Sequence, residues 1–155
     1  MKLEEIMAKV TLLEDIEAIK QLANKVAYSE DVGDWQRILN LFTDDCFFDS
    51  GIGKYEGKQG ITKFFRDELP EGFSFTAHMV HNPIVEIKGD KAIGQWYSEV
   101  AATHASTNKA LWILARYDAE CVKLCGEWKF KRFVSNILYI TPFDEGWAKN
   151  RMYLK

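Results

Sequence analysis

Apolar positions recur at helical spacing in the first part of the chain and at strand spacing in the second. From Leu12 to about Val32, the residues Ile16, Ile19, Leu22, Ala23, Val26 and Ala27 fall at i, i+3, i+4 and i+7. That period predicts a helix with one apolar face. Gly33 breaks it. Asp34 suits the N-cap of a second short helix, "WQRILNLF", with Trp35, Ile38, Leu39 and Phe42 on one stripe and "TDD" closing it. "CFFDSGIGKYEG" reads as an aromatic strand, a Ser-Gly turn and a short second strand. A third helix, about Lys58 to Leu69, turns Ile61, Phe64 and Phe65 to one side and ends at Pro70 and Gly72.

Strands fill most of the remainder. "FSFTAHMVHNPIVEI" is a long one, bent near Pro83. "KGD" is a tight hairpin turn. "KAIGQWYSEVAATH", "KALWILARYDAEC" and "EWKFKRFVSNILYI" follow, with turns at "STN" and "KLCG", and the tail "TPFDEGWAKNRMYLK" is irregular. Helices followed by four long antiparallel strands predict an α+β fold, with the helices packed on one face of a curved sheet. No linker, repeat or low-complexity segment interrupts the pattern, so one domain is expected over 1–155.

Composition narrows the function class. Apolar residues make up 47% of the chain and aromatics 14%, enough for a core and for an aromatic-lined pocket. The net charge is −3, with signs interspersed, so nucleic acid is not an expected partner. No apolar run approaches the roughly 18 residues that span a bilayer. The acidic, helical N-terminus lacks the pattern of a signal peptide. The expected location is the cytoplasm. Cys46, Cys121 and Cys125 form no CxxC pair; free thiols are expected, and neither a metal site nor a cofactor.

Candidate chemistry lies in two places. Asp31, in "AYSEDVGD", closes the first helix. Its helical neighbours include Ala27 and Ala23, so it either turns back toward the core or stands as a solvated acid. The second place is "FTAHMVHNP", with two histidines three residues apart. Strand alternation puts His78 on a face with Thr76, Val80 and Asn82, and His81 on the other with Phe75, Ala77 and Met79. Parity does not choose between them, and a hydrogen-bonded structural histidine accounts equally for either. An Asp–His pair suits proton abstraction: a neutral imidazole takes the proton, and the carboxylate fixes the tautomer. No nucleophile elbow is present.

The stretches "LEDIEAIKQL", "DVGDW", "FFDSGIGKYEGKQGI", "HMVHNP", "GEWKF" and "YITPFDEGW" occur in that order over nearly the whole chain. In this order they resemble the nuclear transport factor 2-like superfamily in its SnoaL-like branch. That branch includes scytalone dehydratase, bile-acid 7α-dehydratase and hexachlorocyclohexane dehydrochlorinase. The resemblance implies a cystatin-like cone: a strongly curved antiparallel sheet wrapped around a long N-terminal helix, with two further helices. It also implies a buried Asp–His pair acting in elimination, with Asp31 as the acid and His78 as the histidine. Several positions depart from those relatives. Val26 stands where the bile-acid enzyme has tyrosine, Val100 and Ile137 where it has an acid and an arginine, and Phe48 near a tyrosine of scytalone dehydratase. These changes predict a drier, greasier cavity.

With His78 inward, strand parity extends the expected lining to Trp96, Ser98, Val100, Ile113, Tyr117, Phe133, Ser135 and Ile137. Phe75, Met79, Trp112 and Phe130 are then assigned to the outer sheet face. That face is apolar enough to predict a homo-oligomer, dimer or trimer. The expected activity is a cofactor-independent dehydratase or related β-eliminating lyase acting on a small hydrophobic or cyclic molecule. Two rivals stand beside it: an isomerase or polyketide-cyclase-like enzyme using the same proton abstraction, and a non-catalytic binding or assembly domain.

Overall fold

The computed structural model describes residues 2–154. Helix α1 runs Leu3–Asp31, longer than the apolar period alone indicated. Its start is held by Glu5, whose carboxylate accepts the Lys2 backbone N–H at 3.1 Å. Only the C-terminal half of the helix is buried, through Ile19, Leu22, Ala23, Val26 and Ala27. The helix ends in a Schellman motif. Gly33 takes a left-handed φ of +71°, its N–H donates to the Glu30 carbonyl at 3.0 Å, and the Asp34 N–H donates to the Ser29 carbonyl at 2.8 Å. Asp34 then caps α2, Trp35–Leu39, by accepting the Arg37 N–H at 3.0 Å.

Strand β1 begins at Phe42 and runs to Asp49, so the expected helix stop "TDD" is already strand. Its exposed acids are held by lysines rather than by a helix end: Asp44 pairs with Lys58 at 2.9 Å, and Asp45 with Lys131. After β2, Lys54–Glu56, the third helical segment starts as α3, Gly57–Thr62. It widens into a π-helical turn at Lys63–Glu68 and closes with one α-turn at Leu69–Gly72. Phe64 and Phe65 on this turn are both buried, on the side of Ile61 that the helical spacing gave them.

The long strands are β3, Phe73–Lys88; β4, Lys91–His104; β5, Ala110–Leu124; and β6, Glu127–Pro142. The sheet order is β2-β1-β6-β5-β4-β3. One pairing departs from the antiparallel expectation: β1 lies parallel to β6, because the chain returns to that edge from the helical side. The other pairings are antiparallel.

Bulges bend the sheet around α1 and reset its parity. In β6, Arg132 faces Glu120 while Phe130 faces Cys121, leaving Lys131 as the extra residue. Phe133 and Phe130 therefore both point inward. Phe130, expected on the outer face, is 0% exposed and packs between Phe42 and Phe133. The bulge between Ile137 and Tyr139 does the same at the other end, turning Ile140 inward. In β3 the register shifts twice, between Phe73 and Phe75 and between His81 and Ile84, where Asn82 has φ +54°.

The closed end of the cone is a packed aromatic cluster. Phe42, Phe48, Phe64, Phe65, Phe130, Phe133, Tyr55 and Tyr117 meet with centroids 4.8–6.3 Å apart, mostly tilted or edge-on. Each such pair contributes about 0.5–1.5 kcal/mol beyond area burial. A smaller group, Val100, Ala102, Leu111 and Ile140, walls the open end. The tail crosses that mouth. Tyr153 N–H donates to the Ile140 carbonyl at 2.8 Å, and Leu154 reaches the cavity. Among the described residues, no helix is long and apolar enough to cross a membrane.

Candidate active site

The last turn of α1 meets the middle of β3, where Asp31 is an exposed residue and His78 a half-buried one, so the pair is less enclosed than the resemblance implied. The Schellman stop leaves Asp31 as the final helical residue, directed at β3. Its carboxylate gathers three hydrogen bonds from one strand. The His78 Nδ1 lies 2.6 Å from Oδ1, the His78 backbone N–H donates to Oδ2 at 2.9 Å, and the Thr76 hydroxyl donates to Oδ1 at 3.1 Å. Backbone and side chain of one residue thus grip one carboxylate, which fixes the imidazole plane. The His78 side chain is 7% exposed and that of Asp31 23%.

A second acid faces the other ring nitrogen. Glu30 Oε1 lies 3.3 Å from His78 Nε2, and its side chain is 12% exposed. Burial alone would push the imidazole toward neutrality, but the Glu30 charge and the hydrogen bond to Asp31 outweigh it, and His78 is pushed up to about 10. For Asp31, burial works against ionisation, while the bonds from His78 and Thr76 more than compensate and hold it below the usual carboxylate range. The resting pair at neutral pH is therefore imidazolium and carboxylate. The sequence reading expected a neutral imidazole; the difference comes from the second carboxylate.

Beside this cluster lies a cavity of about 100 Å³. A single water needs roughly 10–15 Å³ by the same measure, so a small molecule fits. His78 and Glu30 form its polar wall; Asp31 stands behind His78 and does not reach it. Val26, Phe48, Val100, Ile113, Tyr117, Phe133, Ser135 and Ile137 all line it. Two expected lining residues lie elsewhere. Trp96 is 2% exposed and packs edge-on to Phe130 in the closed end, where Gly94, lacking a Cβ, leaves room for the indole. Ser98 is 0% exposed with no hydrogen-bond partner of good geometry; it sits next to Tyr117, which faces the cavity in its place. Burial, with the Glu30 charge adding to it, pushes the Tyr117 phenol well up, so it stays a proton donor.

Glu30, Phe64, Phe65 and Leu154 join the lining without having been read from the sequence. For Glu30 a signal existed: it continues the buried stripe from Val26 by i+4, and a carboxylate on an apolar stripe asks for a partner. For Phe64 and Phe65 the helical spacing gave the shared face with Ile61 but not that this face meets the cavity. Leu154 belongs to an irregular tail with no period. His81 is on the outer face, 3.9 Å from Glu99. Cys46 and Cys121 are buried and Cys125 is exposed, all as free thiols. Among the described residues, no group of three or more His, Cys, Asp or Glu side chains has the arrangement a metal would need.

The model of the SnoaL-like domain family matches residues 11–134. A hexachlorocyclohexane dehydrochlorinase of type 2 has 25% identity and a TM-score of 0.83, over 87% of this chain and 93% of its own. A Novosphingobium aromaticivorans protein provisionally named an aromatic ring hydroxylase has 29% identity and a TM-score of 0.75, over 84% and 94%. A second protein of that organism, provisionally named a scytalone dehydratase, has 18% identity and a TM-score of 0.79, over 95% and 98%. Further neighbours carry the nuclear transport factor 2-like and cystatin-like fold. No curated protein matches the sequence.

Proposed function

Since the chain belongs to the SnoaL-like domain family, we propose that it is a cofactor-independent lyase, a dehydratase or related β-eliminating enzyme for a small hydrophobic or cyclic molecule. The proton transfer runs through His78, oriented by Asp31. The observation that carries this reading is the 2.6 Å contact between the two at the wall of a largely apolar cavity. A neighbour with 25% identity is a dehydrochlorinase, which supports elimination as the reaction class.

The lining explains the choice of substrate. Val26, Phe48, Val100, Ile113, Phe133 and Ile137 offer apolar and aromatic surface, and among the described residues no lysine or arginine lines the cavity. An uncharged, compact ring fits that wall, with Tyr117 or Ser135 free to hold one polar substituent. Positioned proton transfer contributes about 10²–10⁴-fold, and the rest of the rate comes from fixing the ring against the imidazole. An isomerase would use the same transfer without losing a leaving group. We also propose that the protein self-associates through the outer face of the sheet.

The test uses two probes. 3-Hydroxycyclohexanone would lose water to give a conjugated enone, read by ultraviolet absorbance and by mass. γ-Hexachlorocyclohexane would release chloride. We expect turnover of at least one, and a loss of at least ~100-fold in His78→Gln. A product of unchanged mass replaces the lyase by an isomerase. No reaction with either probe, or an H78Q variant as active as wild type, defeats the assignment.

A further inference from the structure

His78 carries a carboxylate at each ring nitrogen. Asp31 holds Nδ1 at 2.6 Å from behind, and Glu30 stands 3.3 Å from Nε2 on the cavity side. The two acids therefore differ in what they can reach. Asp31 is shut off from the cavity by the imidazole, while Glu30 lines the cavity beside His78. An imidazolium matches both acceptors with an N–H. A neutral ring would turn a lone pair toward one of the carboxylates. The other polar groups around the cluster are uncharged: the Thr76 hydroxyl from β3, the Tyr117 phenol from β5, and Ser98 behind it on β4. Among the described residues, no cation besides His78 lines the cavity beside Glu30. The Schellman stop fixes both acids, since Gly33 and Asp34 donate to the carbonyls of Glu30 and Ser29.

We propose that Glu30 is the base that removes the carbon-bound proton of the substrate, and that the His78 imidazolium is the acid that protonates the leaving group. The proposal rests on the lyase reading and assigns its two roles. In a dehydration, a Glu30 carboxylate oxygen forms an O–H bond to the proton on the carbon next to the carbonyl. The C–H electron pair becomes the new C=C bond. The C–O bond at the neighbouring carbon breaks, its electrons stay with oxygen, and that oxygen takes the Nε2 proton and leaves as water. Glu30 is left protonated and His78 neutral. Transfer of the proton from Glu30 to Nε2 restores the starting state, so no further reactant is needed. The raised proton affinity of His78 fits an acid at rest. A relay through His78 alone would need it to be deprotonated first.

The experiment has two readouts on Glu30→Gln, with Glu30→Asp as the conservative variant. In the first, ¹⁵N-histidine resonances of the free protein are followed with pH. Wild-type His78 should remain protonated at both nitrogens beyond pH 8, and E30Q should lower the midpoint by at least one unit. A wild-type midpoint near 6.5, or no shift in E30Q, overturns the pairing. In the second, kcat/KM for 3-hydroxycyclohexanone is measured across pH. E30Q should lose at least ~100-fold throughout the range, and E30D should recover part of that loss. Wild-type turnover with E30Q within threefold of it overturns the assignment of Glu30 and leaves the lyase reading standing. A wild type that turns over neither probe overturns the lyase reading, and the assignment falls with it.

Discussion

Because His78 is charged in the folded protein well above its ordinary range, stability and pH are linked at this one side chain. Its folded value is about 10, against about 6.5 in an unfolded chain. Below pH 6.5 the ring is protonated in both states, and the full stabilisation by Glu30 and Asp31 is present. As pH rises through 10 the folded ring loses its proton and that stabilisation goes. Asp31 works in the opposite direction: its value is lowered, so its share is present above about 3.8 and is lost as pH falls through the folded value. We expect the gap in urea midpoint between wild type and His78→Gln to be widest near pH 6 and to shrink steadily toward pH 10. A gap independent of pH would mean that His78 is neutral in the native state. Spacing offered Asp31 and left His78 and His81 open, the resemblance chose His78, and neither could state the charge of the pair, because that depends on Glu30. The helical period did carry Glu30 to the same face, four residues after Val26.

Helix α1 can present Glu30 and Asp31 only if it stops where it does. The stop is legible: Gly33 follows the last apolar position, and the structure uses it at φ +71° in the Schellman motif. Nothing crowds a Cβ at Gly33, so substitution by alanine costs through conformation alone, about 1 kcal/mol. We expect Gly33→Ala to lower the urea midpoint by that modest amount and to lower turnover more than its stability loss accounts for, because the last turn frays at the acids. Unchanged turnover would show that Asp31 is held by His78 and Thr76 without help from the helix end. Other features at this scale were not legible. Alternation predicts which face a residue takes only while the register holds. The bulges beside Lys131 and Leu138 each invert it, which is why Phe130 is core and Ile140 is wall. The π-turn at Lys63–Glu68 was not read either, although the shared face of Ile61, Phe64 and Phe65 was, and all three are buried. Trp96 kept its parity but lay too deep in the tapering end to reach the cavity, a matter of cone shape rather than of period.

A cone that uses its inner face for a site leaves its outer sheet face and the free half of α1 for association, and one end of the sheet face carries an apolar row beside the ion pairs of Arg116 with Asp118 and Arg132 with Glu120. Met79 pairs with Glu99, Glu99 with Leu114, and Leu114 with Tyr139, so one row crosses four strands with a single charge in it. Phe75 is 55% exposed and Met79 48%, and Trp147 stacks on Tyr139 at 5.1 Å from the tail side. A patch of this kind on a monomer marks an interface. The free half of α1 adds a second apolar strip, Leu3, Met7 and Val10. The two surfaces make different predictions. If the sheet face associates, Met79→Lys places a second charge in the row and should shift wild-type oligomer toward monomer in sedimentation velocity. Met7→Lys should leave the distribution unchanged. The fold should survive either change, since neither side chain belongs to the core. A reversed result would move the interface to the helix, and a monomeric wild type at tens of micromolar would remove it altogether. The row lies on β3 to β6, and β3 also carries His78 on its inner side, so turnover measured on the M79K monomer tells whether association steadies the strand that holds the imidazole. Equal turnover in monomer and oligomer would make the cone sufficient by itself.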